Sequence, residues 1–76
     1  MTKQEFIDLI IEEIESDTKA TPDTELMDVE EWDSLANMIT IGLAADHFNV
    51  DLTAPQLREC IYFDDILNLI GDDFTG

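Results

Sequence analysis

Basic residues are nearly missing from this 76-residue chain. Lys3, Lys19 and Arg58 stand against 19 acidic residues, for a formal net charge of −16. Such a surface repels nucleic acid and anionic membranes, which argues against both as partners. It favours partners with basic patches, met in fast and salt-sensitive encounters. Cysteine occurs once, at Cys60, so no intramolecular disulfide can form. No long apolar run is present either. The first apolar segment is interrupted by Asp8, Glu12 and Glu13, so no signal peptide or membrane span is read, and the expected location is cytoplasmic. Repeats and low-complexity tracts are absent.

What is there is hydrophobic and periodic. Apolar residues make up 45% of the chain, too many for a disordered acidic tail. The length suits one domain spanning residues 1–76. A domain of this size buries roughly 60% of its unfolded surface. A deep pocket with a full catalytic constellation is hard to fit in so small a core, and a surface site is easier.

The periodicity predicts four helices and no strand. Thr2 and Glu5 form a capping-box pattern, and Phe6, Leu9, Ile10 and Ile14 recur at helical spacing, which places a first helix at about 3–15. Residues 16–33, rich in Ser, Asp, Thr and Pro, read as a long loop, and loops of that length usually carry function or are disordered. Leu26, Met27, Val29 and Trp32 suggest that its second half packs back on the helices. A second helix starts at Asp33 or Ser34 and runs to about Phe48, with Asn49 as its stop. Thr53 and Gln56 form a second capping-box pattern, and Pro55 lies in the first turn of a short helix over 54–59. Phe63, Ile66, Leu67 and Ile70 give a last helix over 63–70, ended by Gly71. The fold class is therefore all-α, a small bundle of three longer helices and one short one.

The most informative stretch is Trp32-Asp33-Ser34-Leu35. Locally, Ser34 reads as a helix cap whose hydroxyl accepts a bond from the N–H of Asn37. It also reads as a modified serine, because a phosphodiester there would face unpaired backbone N–H groups at the positive end of the helix dipole. A catalytic serine is disfavoured. His47, the one candidate base, lies thirteen residues along the same helix, roughly 20 Å away at 1.5 Å per residue. No G-x-S-x-G context exists. His47 then reads as a solvated residue and Cys60 as a small core residue. The acidic pairs show no calcium-loop pattern, so no metal site is expected.

With these pieces in place, the chain resembles an acyl carrier protein of the phosphopantetheine-binding superfamily. The resemblance spans essentially the whole length: first helix, long loop, Asp33-Ser34-Leu35 at the second helix, Phe48 near its end, a short third helix and a closing fourth. It implies that Ser34 receives 4′-phosphopantetheine from coenzyme A through a separate phosphopantetheinyl transferase. Asp33 and Leu35 would be the flanking recognition residues. The arm's thiol would carry acyl or aminoacyl groups as thioesters, and the carrier itself would be a monomeric non-enzyme. One tethered thioester is kept at high effective concentration near each enzyme that docks.

Some features depart from the family. Its second helix usually carries several carboxylates, whereas here Leu35–Ala45 has none and only Asp46 follows. A helical wheel groups Leu35, Met38, Ile39, Gly42 and Asp46 on one side, which pattern alone reads as buried. The family geometry instead turns Leu35, Met38 and Asp46 toward partners and buries Ile41, Ala44 and Phe48. The expected docking surface is thus Leu35, Met38, Ile39 and Asp46, with Glu30 and Glu31 in the loop, facing acyl-activating or acyl-transferring enzymes with basic or apolar surfaces. Glu31-Trp32 replaces the glycine-containing segment frequent in fatty-acid synthesis carriers. That favours a specialised pathway such as secondary-metabolite, polysaccharide or lipid assembly, with fatty-acid synthesis and a D-alanyl carrier retained. Gly42, Ala44 and Ala45 are read as permitting close helix packing ahead of leaving room for an acyl chain. The competing reading is an acidic interaction domain that occupies a basic surface without any prosthetic group.

Overall fold

The computed structural model describes residues 1–71 and Phe74. Four α-helices follow in order: α1 (Lys3–Glu13), α2 (Ser34–Phe48), α3 (Ala54–Arg58) and α4 (Phe63–Ile70). A single 3-10 turn, Leu26–Asp28, interrupts the long loop. No strand occurs among the described residues. The nearest thing to one is an isolated antiparallel bridge between Glu25 and Tyr62.

Local chemistry sets the helix ends. Both expected capping boxes form. Thr2 N–H donates to Glu5 Oε1 at 2.8 Å and Glu5 N–H to Thr2 Oγ1 at 3.1 Å; Thr53 and Gln56 repeat the exchange at α3. A third start was not read from the pattern. Asp65, in the first turn of α4, accepts from the N–H groups of both Ile61 and Tyr62 at 2.9 Å. Helix α1 ends two residues before the expected boundary. Glu15 adopts φ 59°, and the Ser16 N–H reaches back to the Ile11 carbonyl at 3.0 Å, the crossed bond of a left-handed helix stop. Asn49 closes α2 as expected, with φ 57°, a conformation its short polar side chain tolerates.

The core joins Phe6, Ile7 and Ile10 of α1 to Leu57 of α3 and Phe63, Ile66, Leu67 and Ile70 of α4, with Ala44 of α2 and Leu26 and Val29 of the loop. The loop does pack back. It is also tied down by the backbone, since the Leu26 N–H donates to the Ile61 carbonyl at 2.8 Å, Phe63 to Thr24 at 3.1 Å and Asp64 to Pro22 at 2.9 Å. Trp32 stacks edge-on against Phe63, with centroids 5.5 Å apart. Phe6, Phe48 and Phe74 form a second aromatic group, with centroids 4.7–5.9 Å apart. The Cα radius of gyration, 11.0 Å, matches the ~11 Å expected for a packed chain of this length. Among the described residues no helix is long and apolar enough to cross a membrane.

Helix α2 buries a face that the wheel did not select. Ala36, Thr40 and Ala44 are inaccessible, and Ile41 and Phe48 pack partly against the core. The Thr40 hydroxyl is satisfied by donating to the Ala36 carbonyl at 2.9 Å. Leu35 and Met38 point outward, 61% and 68% exposed. The small-residue reading is corrected at Gly42 and Ala45. Both are exposed, and a Cβ on Gly42 would meet nothing within 4 Å, so neither permits close packing. Only Ala44 does.

Candidate functional site

The start of α2 divides two jobs between adjacent residues. Asp33 is the N-cap, with extended backbone (φ −144°, ψ −167°), and its Oδ1 accepts from the Ala36 N–H at 3.0 Å. The Asn37 N–H bonds the Asp33 carbonyl at 3.1 Å. The reading of Ser34 as a cap accepting from Asn37 is therefore corrected: Asp33 has taken both roles. Ser34 is the first helical residue and is exposed. No described residue bonds its hydroxyl, and the first-turn N–H groups of Ser34 and Leu35 have no intrahelical acceptor.

The surroundings position this serine firmly. Trp32, two residues before it, is anchored on Phe63, and its N–H donates to the Val29 carbonyl at 3.0 Å. Glu31 accepts from the Ser16 hydroxyl at 2.7 Å, tying the loop's two ends together. The hydroxyl is thus presented from a braced backbone rather than a free loop.

Two clefts flank the start of α2. One, of about 350 Å³, is lined by Leu26 and Met27 of the 3-10 turn, Trp32, Asn37, Leu57 and Arg58 of α3, and Cys60 and Ile61, with Glu25 at its edge. The other, of about 300 Å³, lies toward the end of α1 and is lined by Glu13, Ile14, Glu15, Glu31, Asp33, Leu35, Ala36 and Ile39. Ile39, expected to face partners, is half-buried in this second cleft. Leu35, Met38, Asp46, Glu30 and Glu31 are all exposed. Met27 was expected to pack back, and instead stands 93% exposed at the rim of the first cleft, beside exposed Ile61.

The remaining candidates are quiet. His47 is exposed near the far end of α2. Cys60 is half-buried against the core and also faces the first cleft, and its Sγ donates to the Gln56 carbonyl at 3.4 Å. Burial, aided by the charges of Asp65 and Glu59, pushes its thiol pKa up, so it stays protonated and a poor nucleophile at neutral pH. Among the described residues no group of three His, Cys, Asp or Glu side chains converges as a metal site.

Pattern reading missed Asn37. Its Oδ1 is buried with no hydrogen-bond partner among the described residues, and the residue lines the first cleft. The available signal was compositional: Asn37 and Thr40 are the only polar side chains in the apolar stretch Leu35–Ala45. Comparison with protein-family models, curated proteins and solved structures finds no match.

Proposed function

We propose that this protein is an acyl carrier, modified on Ser34 by 4′-phosphopantetheine from coenzyme A. The observation that carries the reading is the division of labour at α2: Asp33 caps the helix, which leaves the adjacent hydroxyl exposed and unpartnered on a rigid backbone. A transferase needs such a hydroxyl, since the Oγ–phosphorus bond forms as the pyrophosphate bond of coenzyme A breaks and adenosine 3′,5′-bisphosphate leaves.

The residues present fit the group. The open N–H groups of Ser34 and Leu35, at the favourable end of the helix dipole, would be the donors nearest a phosphodiester on Oγ. The neighbouring carboxylates of Asp33, Glu31 and Glu30 oppose a free anion, so this helix start is a weak reversible phosphate site and a good covalent one. Once attached, the group supplies a thiol that carries acyl or aminoacyl cargo as a thioester. Exposed Met27, Leu35 and Met38 supply apolar anchors beside the serine, and the acidic loop supplies the charge that basic partner surfaces read. The cytoplasm and a specialised biosynthetic pathway belong to the same reading.

The test is intact mass after incubation with coenzyme A, Mg²⁺ and a broad-specificity phosphopantetheinyl transferase, with Ser34→Ala alongside. A gain of one phosphopantetheine in the wild type and none in the variant is expected. No gain from a folded wild-type chain with several transferases would favour the acidic interaction domain instead.

A further inference from the structure

We propose that Met27 and Met38 form a reversible oxidation site: hydrogen peroxide turns their thioethers into sulfoxides, which strips the docking surface of its apolar anchors and leaves the fold intact. This rests on the carrier reading and adds a regulation of the same surface.

Placement separates these sulfurs from the core. The buried hydrophobic residues are Phe, Ile, Leu, Val and Ala, with no methionine among them. Met27 and Met38 are instead the two most exposed large hydrophobic side chains among the described residues. Met38 lies four residues after Ser34, about 6 Å along the helix axis and on nearly the same face. Met27 belongs to the 3-10 turn and stands at the rim of the cleft that Asn37 and Ile61 also line. The two thioethers thus border the first turns of α2, one from the helix itself and one from the loop.

Oxidation there acts locally. The sulfur lone pair takes one oxygen from the peroxide: the S–O bond forms as the O–O bond breaks, and water leaves. A flexible apolar side chain becomes a polar one. In a core that change disrupts packing. On this surface few contacts are lost, and the cost falls on a partner that must bury the new oxygen without a donor. The reverse step takes two electrons and two protons from a dithiol, returns the thioether and releases water, which is the chemistry of sulfoxide reductases.

The rest of the molecule leaves the oxidant to these two residues. Hydrogen peroxide is uncharged, so a net charge of −16 does not repel it. Cys60 is half-buried and its raised pKa keeps it protonated, whereas the thiolate is the form that reacts. Met1 is less exposed and lines a separate pocket with Asp46, His47 and Asn49, near the far end of α2. Its oxidation leaves the surface around Ser34 unchanged.

The experiment treats the full chain with hydrogen peroxide, removes the excess with catalase and places the added oxygen by peptide fragmentation. Thermal melting reads the fold, and the phosphopantetheinyl transferase reads docking. One oxygen each on Met27 and Met38 is expected, with an unchanged thermal midpoint. The KM of the transferase for the chain should rise about threefold to tenfold, the loss of one apolar anchor, with kcat nearly unchanged. Sulfoxide reductases with dithiothreitol should restore it. In the double variant Met27→Leu, Met38→Leu, peroxide should no longer raise KM, whatever its starting value. Oxygen placed at Cys60 instead, a midpoint that falls with the sulfoxides, a KM that does not change, or the same rise in the double variant would each overturn the proposal. The untreated chain separates the two readings. If it loads and peroxide changes nothing, the oxidation site falls and the carrier reading stands. If it never loads, the carrier reading falls and the docking role of the methionines falls with it.

Discussion

At the scale of single residues, the site turns on which of two neighbours caps α2. Asp33 and Ser34 are both good N-cap residues by composition, so the sequence left the choice open. The extended backbone of Asp33 and its 3.0 Å bond to the Ala36 N–H decide it. Gly42 offers a cleaner residue-scale prediction. It sits inside α2, exposed, with nothing within 4 Å of an added Cβ. Gly42→Ala should therefore raise stability by about 1 kcal/mol, the helix-propensity difference. Urea unfolding measures it, and a change of the opposite sign would reveal a contact at Gly42 that the fold does not show. Asn37 marks where residue-level reading stopped. An asparagine in an apolar helix is visible in the sequence, but the cleft it lines is made by Leu57 and Ile61, twenty or more positions away, and no local pattern encodes that.

At the scale of elements, the helices with one clear apolar stripe were legible. The boundaries of α4 follow from Phe63, Ile66, Leu67 and Ile70, and all four are buried. Helix α2 was harder because apolar residues surround it, and hydropathy cannot rank two such faces. Tertiary contact decides, burying small Ala36, Thr40 and Ala44 and leaving larger Leu35 and Met38 outside. The cost of that exposure suggests a use for it. If the protein is the carrier proposed above, Met38→Glu should leave the fold intact and cut turnover by an acyl-transferring partner several-fold. Unchanged turnover in a folded variant would remove Met38 from the docking surface.

The cap of α4 gives a pH signature at the same scale. The Tyr62 and Ile61 N–H groups hold the Asp65 carboxyl below its ordinary value. A depressed folded-state pKa stabilises above the unfolded value, about 3.9, and that contribution fades as pH falls through the folded one. Asp65→Asn should therefore lower the thermal midpoint at pH 7, and the gap from wild type should close as pH falls below about 4. A gap independent of pH would mean that the carboxylate charge is not what secures the cap.

At the scale of the whole molecule, self-repulsion among the charges that sum to −16 opposes compactness. Screening should relieve it. The thermal midpoint is expected to rise with NaCl toward physiological ionic strength, where the Debye length is about 8 Å, and to rise further with Mg²⁺. A flat melting series would show that the carboxylates are already too well separated to matter. Net charge was fully legible from composition. The carboxylates beside the exposed serine were legible too, since Glu30, Glu31 and Asp33 closely precede it in sequence; the bond from the Ser16 hydroxyl to Glu31 that ties the loop's two ends was not.

That pinning has a consequence in time as well as space. The loop leading to Ser34 is fastened by backbone bonds from Pro22, Thr24 and Leu26 to residues 61–64, and Trp32 leans on Phe63. During synthesis the serine emerges long before the residues that brace it. Domains fold largely as units as they leave the ribosome, so the nascent chain displays Ser34 on an unbraced segment until α4 is made. An enzyme that reads the folded surface around the hydroxyl would act only after α4 had been made and had docked on the loop.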